Sequence, residues 1–236
     1  MAKTAILIDG GFYRKMAPKL FGSVTGKERA NELIDYCFKH LSDSDELYRI
    51  FYYDCPPIKK KMFHPLTKEE IDLSTSPICK WYDDFIKEMV KKRKVALREG
   101  RLSEENASYV LVPTALKQLC NHEKTVDELT ADDFEISVRQ KGVDMKIGVD
   151  IASLAYKQQV ERIILIAGDS DFVPASKLAR REGIDFILDP LWNHINDDLR
   201  EHIDGLSTKV PNPKVKSKTK PKAAKIKSVK KSSDSK

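Results

Sequence analysis

Three observations predict an α/β layered domain with a mainly parallel central sheet. Short apolar runs of β type alternate with longer helical patterns along most of the chain, the order that βα units produce. Three of the runs, "TAILID", "RIILIAGD" and "IDFILD", are apolar on both faces, as a sheet covered by helices on each side requires. With 236 residues, the chain is long enough to bury a sizeable core, about 70% of its surface at this size.

In chain order, the pattern begins with a strand over Thr4 to Asp9 and a helix over Glu28 to Leu41. A second strand is expected over Leu47 to Asp54 ("LYRIFYYD"), ending before Cys55-Pro56-Pro57, then a helix near Trp81 to Lys92 and a strand at "KVALREG", Lys94 to Gly100. The segment from about 103 to 140 fits the alternation less well. It reads as an insertion that carries a strand at Tyr109 to Pro113, a helix and a "TADDF" turn. The alternation resumes with a helix over Asp144 to Gln158, a strand over Arg162 to Asp169, a helix over Phe172 to Glu182, a strand over Ile184 to Asp189 and a short helix over Asn196 to His202. One domain is thus expected over residues 1–207, followed by a lysine-rich tail over 208–236. Residues 209–236 hold eleven lysines and one aspartate, a net +10 within a chain total of +6, which leaves −4 for the remainder. Without aromatic residues and with few aliphatic ones, the tail cannot offset its ordering entropy and is expected to be disordered. It reads either as a polycation that attracts phosphate backbones or as a solubilising tail.

Composition excludes several classes. No apolar run approaches the roughly 18 to 20 residues that span a bilayer, and "TAILI" is too short for a signal-peptide core, so a cytoplasmic protein without membrane attachment is expected. The four cysteines and five histidines show no zinc or disulfide spacing, which predicts free, buried thiols. There is no glycine-rich phosphate loop of the GxxxxGK[ST] or GxGxxG kind.

The informative residues are acids. In open parallel sheets the ligand crevice lies beyond the carboxyl ends of the strands, where strand order reverses. "AILID" ends at Asp9 and "ILIAGD" at Asp169, with Asp171 one residue further on. The largely apolar segment "QKGVDMKIGVDIASLAYK" adds Asp144 and Asp150, and a buried helix cannot leave a carboxylate unpaired without cost. Six residues of helix set these two about 120° apart, so both face one point only if Asp144 is the N-cap. Carboxylates that converge repel one another unless a cation sits among them, and an all-oxygen site suits Mg²⁺ or Mn²⁺, the chemistry of phosphodiester hydrolysis. Each acid also has a structural role open to it: Asp9 as a turn residue, Asp144 and Asp171 as helix caps, Asp54 as a turn before the prolines, Asp189 as a strand end.

Together, "AILIDGGFYRK", "RIFYYD", "QKGVDMKIGVDIASLA" and "ILIAGDSDFVPASKLARREG" resemble the NYN domain family in its LabA-like branch, a relative of the PIN-domain nucleases. The resemblance covers about residues 3 to 205. It implies a three-layer α/β/α PIN-like (Rossmann-like) fold and a divalent-metal ribonuclease site. By this resemblance Asp9 is the first-strand metal ligand, Asp169 and Asp171 are the acids of "GDSDF", Asp150 is similar to the helix acid of PIN domains, and Asp144 belongs to the "KGVD" signature. Phe12 stands where many members carry an asparagine, so a polar group near the metal or scissile phosphate is missing.

The expected function is therefore a metal-dependent endoribonuclease. Asp9, Asp144, Asp150, Asp169 and Asp171 would hold Mg²⁺ or Mn²⁺, and Arg14, Lys15, Lys141 and Lys146 would meet the RNA backbone. A non-catalytic RNA-binding regulatory adaptor with the same fold is the alternative; a small-molecule phosphatase lacks any phosphate loop. Exposed aromatic residues such as Trp81, Tyr82 and Trp192 could stack bases or serve the core, and homo-oligomerisation is left open.

Overall fold

The first strand shows why a parallel sheet forms here. Ala5, Ile6, Leu7 and Ile8 are all fully buried, and alternate residues enter different cores. Ala5 and Leu7 join one hydrophobic cluster, while Ile6 and Ile8 join the other. A strand that must satisfy two cores belongs in the middle of a sheet covered on both faces. Each Ile or Leu buried this way contributes about 1.5–3 kcal/mol.

The computed structural model describes residues 1–138 and 140–213, with Gln140 and Lys141 described by their backbone pairing alone. In chain order the elements are β1 (Lys3–Asp9), α1 (Gly10–Phe21), α2 (Gly26–Phe38), β2 (Glu46–Asp54), β3 (Lys61–Phe63), β4 (Glu70–Asp72), α3 (Pro77–Met89), β5 (Val95–Glu99), β6 (Arg101–Leu102) and β7 (Ser108–Leu111). There follow α4 (Pro113–Cys120), β8 (Phe134–Ser137), β9 (Gln140–Lys141), α5 (Val143–Tyr156), β10 (Arg162–Ile166), α6 (Val173–Arg181), β11 (Asp185–Asp189), α7 (Asp197–Glu201) and β12 (Gly205–Leu206).

Six strands form one sheet in the order β12-β11-β10-β1-β2-β5, and every neighbouring pair is parallel. Helices α1, α2 and α3 cover one face around Tyr13, Leu33, Tyr36 and Phe85. Helices α5, α6 and α7 cover the other around Ile147, Ile151, Ala179 and Leu199. The result is a three-layer α/β/α fold. From β1 the chain builds outward through β2 and β5, then returns to β10 on the other side of β1 and builds outward through β11 and β12. Strand order therefore reverses between β1 and β10.

The helix starts follow local chemistry. At α2, Thr25 accepts from the Glu28 amide while Glu28 accepts from the Thr25 amide at 2.9 Å, a reciprocal capping box. Ser76 caps α3, with Pro77 in its first turn. Gly142 precedes α5 at φ +84°, a left-handed conformation that glycine adopts without penalty.

Several elements depart from the sequence-based expectation. Helix α1 was not anticipated; in the fold Asp9 caps it and Pro18 sits in its last turns. The expected strand at Tyr109 to Pro113 is not part of the central sheet. Its core, β7, pairs antiparallel with β8 in the insertion, while β3 and β4 form another small hairpin. The sixth central strand is instead the two-residue β12 at the edge. Cys37 and Cys79 are buried free thiols, Cys55 is buried, and Cys120 is a free thiol exposed on α4. Beyond residue 207 the chain stays attached: Thr208 donates to Asp189 at 2.6 Å, and the Val210 carbonyl accepts from the Trp192 indole at 2.7 Å. The remainder of the expected tail, 214–236, lies outside the described residues.

Candidate active site

The reversal between β1 and β10 opens a crevice of about 440 Å³ at the carboxyl ends of these strands, lined by Asp9, Phe12, Lys15, Asp169, Ser170 and Asn196. Close backbone approach builds its walls. A β-carbon on Gly10 would stand 2.6–2.7 Å from the Tyr52 ring and the Tyr53 carbonyl, and one on Gly168 would stand 2.4 Å from the Phe12 ring. Only glycine fits at position 10, where the Tyr53 carbonyl cannot move aside, so α1 can start directly beneath the strand end; at position 168 a side chain would have to displace the Phe12 ring.

Asp9 is the most perturbed acid. Its carboxylate accepts from the Phe12 amide at 3.1 Å, which favours the charged form, but burial and the nearby charges of Asp144 and Asp54 outweigh this bond. The pKa is pushed up from 3.8 to about 6, with burial the largest cause. Asp144, in the first turn of α5, is also raised, by burial and then by Asp169 and Asp171. These mutual effects tie Asp9, Asp144, Asp169 and Asp171 into one electrostatic cluster. Asp169 accepts from the Asp171 amide at 3.1 Å, which fixes the turn that carries both.

None of the four has an ion-pair partner among the described residues, whereas two neighbouring acids do. Asp54, 2% exposed, receives two 2.7 Å hydrogen bonds from the Arg14 guanidinium and further bonds from Tyr52 Oη and the Cys55 amide. It is a buried ion-pair partner, more than the turn residue expected. Asp150 accepts from Tyr53 Oη at 2.8 Å and from Arg98 Nε at 3.0 Å. Gly142, not Asp144, is the N-cap of α5, so the condition for Asp144 and Asp150 to face one point is not met, and Asp150 turns to Arg98. Asp189 is fully buried and accepts from Tyr36, the Leu191 amide and Thr208, away from the crevice.

Of the four expected RNA contacts, Lys15 is exposed on the crevice wall. Arg14 is committed to Asp54, and Lys146 donates to the Glu99 carbonyl. The side chain of Lys141 lies outside the described residues. Tyr82 is 3% exposed in the packed interior, Trp81 is partly buried and stacked on Phe85, and Trp192 is 44% exposed. Ser170 and Asn196 were not anticipated. Asn196 arrives from the loop after β11 and carries no local signal in the sequence.

The donor set, unpaired carboxylates with one strongly raised pKa, fits a hard divalent cation. Among the described residues, no three such side chains already stand at metal-binding spacing, so ligation would draw the carboxylates inward.

The family profile described as NYN domain matches residues 71–207. No curated protein matches the chain. Among solved structures, a protein of unknown function from Vibrio parahaemolyticus RIMD 2210633 is similar at a TM-score of 0.44 and 14% identity, over 87% of this chain and 91% of that one.

Proposed function

Because the chain belongs to the NYN domain family of PIN-like nucleases, we propose that it is a metal-dependent ribonuclease that hydrolyses RNA phosphodiester bonds in the crevice between β1 and β10. The observation that carries this reading is the cluster of four carboxylates without ion-pair partners among the described residues, at a switch point where α/β folds bind ligands. Acids that repel one another in one crevice suit a site where a cation resolves the repulsion. Asp9, Asp144, Asp169 and Asp171 would hold Mg²⁺ or Mn²⁺. A bound cation of this kind supplies the positive charge that stabilises a phosphodiester and an attacking water during displacement.

The chain's own groups do the rest. Asp9, raised to about 6, would hold a cation more tightly as pH rises through that value, because only its ionised carboxylate ligates. Lys15, on the wall of the crevice, neutralises a phosphate oxygen, and Ser170 and Asn196 offer hydrogen bonds to the sugar-phosphate chain. Asp150 acts as a positioning residue: through Tyr53 and Arg98 it locks α5 to β2 and β5, and thereby sets where Asp144 stands. Phe12 fills the wall against Gly168 with an apolar ring. It favours the second reading, an RNA-binding adaptor without turnover, because it removes a polar group from the crevice.

Labelled single-stranded RNA, with DNA of the same sequence alongside, separates the two. Cleavage of RNA in Mn²⁺ or Mg²⁺ that stops in EDTA is the expected result. RNA that is bound but never cut in either metal would give the adaptor reading.

A further inference from the structure

A second cavity opens beside the acid cluster, and the proposed function leaves it unused. It is a groove of about 480 Å³ between α5 and α6, in the size range of about 300–1,000 Å³ typical of small-ligand sites. Asp144 and Asp171 stand on its rim, so the groove is continuous with the carboxylate cluster. Its walls are apolar. Met145 is 72% exposed and Val149 57% exposed on the α5 side, and Ala175 and Leu178 face them from α6. The α5 wall is also smooth: Gly148 and Ala152 line it, and nothing lies within 4 Å of where a Gly148 β-carbon would stand.

Exposed apolar side chains next to carboxylates suit neither a free ion nor a second phosphate. They suit a flat ring whose faces are apolar. The small residues allow such a ring to lie close to the helix, and the Met145 thioether is a favourable neighbour for an aromatic face. The groove is too small for a protein partner: ten residues line it, against about 20–30 a side in a stable interface. We infer that the α5/α6 groove is a base-binding subsite, which takes the nucleobase of a nucleotide whose phosphate lies at the carboxylate cluster. The inference rests on the nuclease reading for its choice of ligand, but it is tested through binding, which does not require turnover.

Gly148→Leu fills the groove from the open side, and it replaces a residue of poor helix propensity with a good one, so α5 should hold. The probes are labelled single-stranded RNA oligonucleotides, intact and with abasic positions, titrated in Ca²⁺, an oxygen-ligated dication that can stand at the carboxylates in place of Mg²⁺ or Mn²⁺, over a series of salt concentrations. For the intact RNA, Gly148→Leu is expected to raise Kd about tenfold, within the range that loss of one stacked base produces. The dependence on salt should stay unchanged, because no phosphate contact is lost. For the abasic RNA the wild type is expected to bind as weakly as the variant. Equal Kd values for wild type and variant on intact RNA would overturn the subsite. So would an equal loss on intact and abasic RNA, which would mean that the leucine obstructs the backbone. Sedimentation of the wild type as a dimer and of the variant as a monomer would overturn it in favour of self-association through α5. Base-dependent binding by a wild type that does not cleave in Mn²⁺ would refute the nuclease reading and leave the subsite standing; no binding of either RNA would refute both.

Discussion

Replacing Asp9 with asparagine should stabilise the protein, although Asp9 is the most buried member of the proposed site. The folded protein raises the Asp9 pKa from 3.8 to about 6. At about 1.4 kcal/mol per pH unit, this amounts to about 3 kcal/mol. A carboxyl whose pKa is raised on folding contributes stability that is fully present below its unfolded value of 3.8 and is lost as pH rises through about 6. Above pH 7 the wild type therefore bears the cost of an ionised Asp9, and Asp9→Asn does not. Asparagine also keeps the cap of α1, because its side-chain oxygen can still accept from the Phe12 amide. Thermal unfolding in EDTA at pH 8 should give the variant a Tm about 6–12 °C above wild type, from about 2–4 °C per kcal/mol at this chain length. At pH 4, where the wild-type carboxyl is largely protonated in the fold, the gap should shrink to about 1–2 °C. Mn²⁺ at pH 8 should raise the wild-type Tm more than that of the variant, since a bound cation stabilises the state that ligates it. A gap that is absent at pH 8, or the same at both pH values, would refute the electrostatic account of Asp9.

Arg14→Ala leaves Asp54 charged, 2% exposed and without its guanidinium, and should cost about 3–5 kcal/mol in urea unfolding; a loss below about 1 kcal/mol would show that the pair does not organise this end of the sheet. Phe12→Asn places a polar group beside Asp9 and should raise the cleavage rate about tenfold, the worth of one good hydrogen bond. An unchanged or lower rate would show that Phe12 does not limit turnover.

The central sheet could be read from the sequence because β1, β10 and β11 serve two cores at once, and few other arrangements account for apolar residues on both faces of so short a run. The acids at the strand ends were legible for a related reason: Asp9 and Asp169 interrupt those runs where a parallel sheet has its open edge. What lay beyond the sequence is long-range pairing. Arg14 meets Asp54 across 40 residues and Arg98 meets Asp150 across 52, and neither acid announces its partner. Asp150 therefore reads in the sequence as a site acid like Asp9, and Asp54 as a turn before the prolines; their ion pairs appear only once the strands are placed. Helix α1 was hidden by its own N-terminus, since Gly10 is set by the Tyr52 ring, a tertiary contact, and reads locally as a breaker. Strand β12 is two residues long and has no periodicity to read.

The most direct test of the central claim is the rate of single-stranded RNA cleavage by wild type and by Asp169→Asn in Mn²⁺, with EDTA controls. Asp169 is exposed at the crevice and has no ion-pair partner among the described residues, so the substitution spares the core. The account expects metal-dependent cleavage by the wild type and its loss, by a factor of about 100 or more, in a variant whose Tm is unchanged. Full metal-dependent cleavage by Asp169→Asn would contradict it and move the chemistry away from the β1–β10 crevice.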